Sequence, residues 1–228
     1  MKITRVEVTP KQGDGLKDVR GDLIKRQLKA DHSIEITEIR SIVGFLVSSD
    51  IPSQDIAERC DDLFADPIIE HSLTDALFLE SRDIYPNIPD AAISVGFKPG
   101  VTDNPGKAAL DGFTTLFPNT DTDSDISTYI TYVFYGVPQE VSIEWLSATL
   151  YNNLIERAVI SNQQQCQKNQ WPAIEYPVKP PQEFTTPKHI DLEISDDDLI
   201  EISEQGLLAL NLEEMQAIQS HYRNDDIR

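Results

Sequence analysis

The segment FKPGVTDNPGKAA, residues 97–109, is the most informative stretch of this chain. It predicts the end of a strand, a Pro-Gly turn and a helix, because proline in the first turn of a helix lacks only an amide that would be unpaired there. A weaker version lies 87 positions earlier, with identical residues at three places: Val8, Lys11 and Gly13 against Val95, Lys98 and Gly100. This spacing predicts an internal repeat of one structural unit.

The same offset continues into a second element. Ile56 and Leu63 stand opposite Ile143 and Leu150, and the tail FADPIIE of residues 64–70 resembles YNNLIE once one residue is deleted. Few other positions are identical between the halves, so the shared order of elements is what supports the repeat.

Each half predicts strand, helix, strand and helix from its apolar spacing. The predicted strands are residues 3–8, 36–47, 92–97 and 129–135, and the predicted helices are 18–28, 105–116, 141–155 and one capped by Ser53. Gly44 is predicted to mark a bulge. We therefore expect an α+β fold. Two tandem two-layer units, each with helices on one face of a mainly antiparallel sheet, would be related by a pseudo-twofold axis.

The rest of the chain differs in composition. We predict units at residues 1–86 and 87–160, then an extended linker rich in Pro and Gln at 161–188. Residues 189–228 should form a small, acidic, mostly helical region. Within it, Ile190, Leu192 and Ile194 alternate like a strand, and Ser195 and Asn211 have the character of helix caps.

Charge and cysteine usage restrict the class of protein. The formal net charge is −20, which repels phosphate backbones and anionic lipids and disfavours nucleic-acid and membrane binding. Eleven of the nineteen Lys and Arg residues lie within residues 1–87. The acidic remainder serves solubility or docks on a basic neighbour. Two cysteines are too few for a disulfide framework, which indicates a reducing, cytoplasmic location.

No pattern predicts catalytic, cofactor-binding or metal-binding residues. Five residues rather than four lie between Gly100 and Gly106, and Ala108 follows the lysine where a phosphate loop has Ser or Thr. The four histidines lack zinc spacing. Cys60 is predicted to be packed in a helix and Cys166 to be exposed. The loop at residues 121–125 is predicted to be a solvated insertion that lacks the Gly and Glu of a calcium loop, and whether it binds an ion stays open.

The segment around Lys98 resembles a known family. With Gly100, Asp103 and Gly106-Lys107-Ala108, it is similar to the opening of the small PurS-type subunit of phosphoribosylformylglycinamidine (FGAM) synthase, an enzyme of purine synthesis. The tail of residues 63–70 resembles that subunit's second signature, with Asp66 in place of the usual Asn. In the large single-chain enzymes of the PurL family, such units are fused in tandem ahead of the catalytic body, and residues 210–218 are similar to the start of the following linker domain.

This resemblance implies a scaffold. The ATP, magnesium and glutamine chemistry of such a ligase would belong to synthetase and glutaminase domains, which are partners in the same chain or complex. This region would carry no catalytic residue and no cofactor. A Ser-Glu-His-Cys-type motif is expected beyond Arg228 if the chain is the N-terminal part of that enzyme. By the same resemblance, four residues are candidate inter-domain contacts: Lys98, Gly100, Asp103 and Lys107.

Other interpretations remain open. Turn chemistry alone would explain Pro99 and Gly100, with both lysines solvated. The chain could be a separately encoded PurS-like adaptor that joins synthetase and glutaminase subunits. It could also be an unrelated regulatory α+β domain for a small ligand, since fold alone does not fix function.

Overall fold

A computed structural model describes residues 2–13, 15–177, 190, 192–206 and 208–224 of the chain. The chain divides into two compact units, Met1–Pro180 and Pro181–Arg228. All strands of the described residues lie in the first unit, and the regular elements described in the second unit are helices.

The first unit is α+β, as predicted, and is built on one six-stranded antiparallel sheet. Its strands are β1 (Lys2–Pro10), β2 (Glu38–Ser49), β3 (Glu70–Thr74), β4 (Ala91–Phe97), β5 (Asp125–Tyr135) and β6 (Glu156–Asn162). Its helices are α1 (Val19–His32), α2 (Ser53–Glu58), α3 (Asn104–Leu116), α4 (Ile143–Ala148) and α5 (Gln163–Gln167). Two 3₁₀ turns complete it, at Cys60–Asp62 and Phe78–Glu80.

The strands are ordered β3-β1-β2-β5-β4-β6 across the sheet. Strands β2 and β5 form the centre and pair from Glu38↔Tyr135 to Ser48↔Asp125. On either side the chain follows the same sequence of strand, helix, strand, helix and edge strand. From the centre of the sheet outward, the strands therefore follow the same order in both directions: the second, first and third strand of each half.

Two hydrophobic clusters lie under helices α1–α4, and each takes residues from both halves of the chain. In one, Val6 and Ile56 pack with Phe113 of α3 and Ile126 of β5. The other contains residues of α1, β2, β4, β5 and α4: Leu28, Ile39, Ile93, Phe134 and Leu146. Each longer helix thus helps to bury side chains of the opposite half.

The second face of the sheet is also covered. Ile42 and Val133 on this face pack with Phe78, Tyr85 and Cys166. Further along, Leu46 and Tyr129 pack with Ile174. The predicted linker therefore begins too early: α5 and the chain as far as residue 176 belong to the folded unit, because their apolar side chains are needed on this face. Residues 178–188 of that linker lie outside the described part.

Three predicted helical and turn features are wrong in detail. The helix predicted at 141–155 is only α4, because Leu150 and Tyr151 keep the inward spacing although the chain has left the helix. The N-cap of α2 is Pro52 rather than Ser53. Gly44 marks no bulge, since it keeps regular register with both neighbouring strands. A Cβ atom there would lie 2.0 Å from the Tyr129 ring, so this glycine makes room for an aromatic side chain.

The second unit contains α6 (Asp196–Gln205) and α7 (Leu212–Asn224). Ser195 and Asp198 form a reciprocal capping box, as do Asn211 and Glu214, which confirms both predicted helix starts. The predicted strand is wrong, because Ile190, Leu192 and Ile194 are not in a strand. Instead the Leu192 carbonyl accepts the Gln219 side-chain amide at 2.7 Å.

No helix in the described ranges is both long and apolar enough to cross a bilayer.

Candidate functional site

The Lys98 segment forms a turn whose backbone bonds recur in the other half. The amide of Lys98 donates to the Ile155 carbonyl at 2.9 Å, and that of Lys11 donates to the Ile69 carbonyl at 2.8 Å. The side chains repeat as well: Lys98 Nζ donates to the Asn153 carbonyl, and Lys11 Nζ donates to the Pro67 carbonyl. Both lysines thus fasten the turn that leads into an edge strand.

The glycines of the two motifs have the same backbone conformation. Gly100 has φ +87 and Gly13 has φ +99, in the left-handed region that side chains with a Cβ atom rarely adopt. Both glycines are exposed. This conformational demand accounts for glycine at these two places.

Asp103 is the N-cap of α3 and also ties that helix to the sheet. Its carboxylate accepts the Gly106 amide at 2.7 Å and the Thr128 hydroxyl at 2.9 Å. A capping carboxylate satisfies helix amides that otherwise have no partner, and its charge suits the positive end of the helix dipole. The role of this aspartate in the structure is therefore clear without any partner molecule.

Asp18 makes the same contacts at the start of α1. It accepts the Gly21 amide at 2.8 Å and the Ser41 hydroxyl at 2.9 Å. Gly21 and Gly106 share a further property: a Cβ atom would lie 2.0 Å from the Ile39 carbonyl oxygen at Gly21 and 2.3 Å from the Ile126 carbonyl oxygen at Gly106. Both helices begin so close to a strand that only glycine fits.

The tails after α2 and α4 form matching turns. The Asp66 carboxylate accepts the Ile68 amide at 2.8 Å, and the Asn152 side-chain oxygen accepts the Leu154 amide at 3.0 Å. Because one acceptor oxygen suffices, Asp and Asn are interchangeable here. The glutamate four residues later then closes each turn by accepting the amide of Asp66 or Asn152.

The four candidate contact residues lie along one segment but differ in exposure. Lys98 and Asp103 are partly buried and engaged with this chain, whereas Gly100 and Lys107 are exposed. Only the latter two therefore present their surface to a neighbour without first breaking a bond described above. Their role as inter-domain contacts stays a prediction.

A buried polar network on the second face was missed by sequence reasoning. Glu7 is 3% exposed. Its two carboxylate oxygens accept the Tyr129 hydroxyl at 2.7 Å and the Phe78 amide at 2.8 Å. Arg5 donates to the same hydroxyl at 2.5 Å and to the Ile174 carbonyl at 3.1 Å. The available signal was the alternation of charged Arg5 and Glu7 with apolar Val6 and Val8.

Burial controls the ionisation of this network. Desolvation raises the pKa of Glu7 above its ordinary value, although the bonds from Tyr129 and Phe78 and the charge of Arg5 oppose the shift. The pKa of Tyr129 is also raised, mainly by burial and by the nearby Glu7 carboxylate. The network links β1 to β5 across β2, and its carboxyl group is shielded from solvent.

The two thiols are both buried. Cys60 is 3% exposed, in agreement with its predicted packing, and Cys166 is fully buried, so its predicted exposure is wrong. The polar Gln residues around Cys166 gave no sign of its burial in the sequence, because Cys166 is the buried residue of α5. Burial raises the pKa of Cys166 to about 11, which leaves the nucleophilic thiolate unpopulated at neutral pH.

Hydrogen bonds join the acidic loop to other parts of the chain. Asp50 accepts the Asp121 amide at 3.1 Å, and Asp125 accepts the Tyr176 hydroxyl at 2.6 Å. Within the part of the chain that the structure describes, no group of three or more His, Cys, Asp or Glu residues is placed to hold a metal ion.

Comparison of the chain with models of known protein families finds no match, and comparison with curated proteins finds none either.

Proposed function

We propose that this chain is the N-terminal scaffolding region of a phosphoribosylformylglycinamidine synthase, acting in the cytoplasm. In this proposal the two halves of the sheet are PurS-like units related by a pseudo-twofold axis. The helical region from residue 189 onward is the start of the linker domain. The chain organises the catalytic synthetase and glutaminase domains and helps to wall the path taken by ammonia.

The observation that carries this proposal is the recurrence of the motif with its contacts. Lysine fastens a turn, glycine adopts positive φ, and aspartate caps a helix that begins against a strand, at Lys98, Gly100 and Asp103 and again in the first half. These are the positions by which the sequence resembles the PurS-type subunit. A chance match to the motif would not explain the same bonds in the half where the motif is weak.

The side-chain chemistry supports a scaffold rather than an active site. The buried carboxylate of Glu7 is engaged on both oxygens, and both thiols are packed in hydrophobic clusters. ATP and magnesium would be bound by the catalytic domains. The exposed side chain of Lys107, at the first turn of α3, is the candidate contact to those domains.

Reconstitution tests the proposal. The catalytic body of an FGAM synthase that lacks its own N-terminal region is assayed for glutamine-dependent product formation, alone and fused behind this chain. We expect at least a tenfold stimulation by the fused chain. Lys107→Glu should reduce the stimulation, whereas Lys168→Glu, at another exposed lysine, should not. A fused enzyme no faster than the bare body would refute the scaffold.

The adaptor alternative differs in one arm of the same assay. A separately encoded adaptor would stimulate the body equally well when it is added as a free polypeptide. The fused-domain interpretation expects stimulation only from the covalent form or at high concentration of the free chain, because the linkage raises the effective concentration of the two parts.

A further inference from the structure

A cavity of about 360 Å³ lies at the end of the sheet where β2 begins and β5 ends. It is lined mainly by polar side chains, including Gln12, Glu38, Arg40, His71, Asp83 and Tyr135. Small-molecule sites in proteins start at about this volume. Apart from Gln12, which lies between Lys11 and Gly13, these residues lie outside the repeated motif, so the cavity needs its own explanation.

Arg40 is the unusual member of this lining. It is 6% exposed, and its Nε atom is buried without a hydrogen-bond partner. One terminal nitrogen donates to the Ile84 carbonyl at 2.7 Å, and the guanidinium stacks 4.0 Å from the centre of the Tyr85 ring. Among the described residues, no ion pair joins it to an acidic side chain. A buried positive charge without a counter-ion is costly, which favours an anionic group bound beside it.

The rim of the cavity has the opposite charge. Glu38 and Asp83 both line it and are exposed, so their carboxylates are available to a cation. Two carboxylates against one guanidinium give a net negative lining, which disfavours nucleotides and other polyanions. A ligand that satisfies both parts carries one negative group for Arg40 and one positive group for the rim.

We propose that this cavity binds a free α-amino acid. Its carboxylate would pair with Arg40 and its ammonium with the carboxylates of Glu38 and Asp83. The remaining polar side chains, among them Gln12 and the hydroxyl of Tyr135, would contact the amino-acid side chain. This inference goes beyond the scaffolding role and does not depend on it, because Glu38, Arg40 and Asp83 are not part of the motif that carries the scaffold proposal.

Isothermal titration of the whole chain, Met1–Arg228, tests the site with the twenty free amino acids in turn. We expect at least one to bind. Its N-acetyl derivative and its carboxamide should each bind at least tenfold more weakly, since each removes a charge-assisted bond. Inorganic phosphate should bind more weakly than the amino acid. Failure of all twenty to bind, or equal binding by phosphate or by the N-acetyl derivative, overturns the proposal.

A matched pair of arginine variants locates the site. Arg157 also donates to a backbone carbonyl, that of Glu175, and also has a buried Nε without a partner, but it does not line the cavity. Arg40→Met should weaken binding at least tenfold and Arg157→Met should leave it within about threefold. Equal losses in the two variants would contradict the assignment.

Substitution of the rim guards against a general loss of folding in the Arg40 variant. Glu38→Gln combined with Asp83→Asn changes only exposed side chains. The double variant should lose the preference for the free amino acid over its N-acetyl derivative while keeping the melting temperature. Retention of that preference would also overturn the proposal. The titration contains no catalytic body, so its result is separate from that of the reconstitution.

Discussion

The two halves of the sheet share a skeleton of hydrogen bonds but differ on the face away from α1–α4. There, β1 presents Arg5 and Glu7, while β4 presents Ala92 and Ser94 at the places 87 positions later. The larger, charged residues meet the backbone at Phe78 and at Ile174. The smaller ones allow the chain to come close, so that Ser94 donates to the Pro172 carbonyl at 2.8 Å. The backbone therefore determines the residues at turns and caps, whereas the residues on the second face of each strand depend on the segment that covers them.

The largest effect is expected when the two halves are expressed as separate polypeptides. Because Phe113 packs with Val6 and Ile56, and Leu28 packs with Ile93 and Leu146, neither half owns a complete core. We expect residues 1–86 and residues 87–228, expressed separately, not to fold as monomers. Mixing them should restore a cooperative thermal transition measured by circular dichroism. A monomeric half that melts cooperatively would contradict this account.

The glycines at the helix starts come next. Gly21→Ala and Gly106→Ala each force a Cβ atom against a backbone carbonyl, and each should lower the free energy of unfolding by about 2–3 kcal/mol, or more. Gly112→Ala is the control within α3, because its Cβ would meet only the flexible end of Leu63. Urea denaturation measures all three. A loss at Gly112 as large as at Gly106 would show that helix packing, not the strand carbonyl, sets the requirement.

The capping aspartates should give a smaller, unequal pair of losses. Asp18→Asn and Asp103→Asn each weaken several bonds to one carboxylate and should cost about 1–3 kcal/mol in urea denaturation. The cost should be greater at Asp18, which is buried, than at Asp103, which is partly exposed. Asp22→Asn, at an exposed position in the first turn of α1, is the control. Negligible losses in both variants would show that the two capping aspartates do not stabilise the fold.

The smallest effect is a pH dependence due to the buried carboxyl group of Glu7, whose counterpart in the second half is Ser94. The pKa of Glu7 is raised by burial above 4.5, so the folded chain holds this proton more tightly than the unfolded chain does. Its contribution to stability is present below pH 4.5 and is lost as pH rises through the raised pKa. Glu7→Gln should remove this component from a plot of melting temperature against pH, whereas Glu140→Gln, at an exposed site, should not. Unchanged pH dependence in the Glu7 variant would contradict the assignment.

The fold was predictable where local chemistry and tertiary structure agree. The Asn-Pro helix start, the capping residues Ser195 and Asn211 and the paired glycines were all recognisable, because each satisfies a backbone requirement within a few residues. Together with the apolar spacing of the strands, those features were enough to predict the α+β class and the four inner strands.

The edge strands were missed for a physical reason. Strands β3 and β6 are half-buried and mix polar with apolar residues, so neither shows a clear alternation. The helix in front of β6 was predicted too long, because no proline ends it as Pro67 marks the turn in the first half. The candidate contacts were identified as a motif, but the sequence could not separate Lys98 and Asp103, which bind their own chain, from the exposed Lys107.

One buried cysteine lies on each face of the sheet, so the chain carries two internal probes of local opening. Cys60 lies in the cluster beneath the helices, and Cys166 lies in the cluster on the opposite face. A thiol reagent reaches each cysteine only when the layer that covers it opens. The two labelling rates, followed by mass spectrometry, therefore report separately on local opening at each face of the sheet. If the layers open together, the two rates will coincide; if the chain after β6 lifts away first, Cys166 will be modified while Cys60 is still protected.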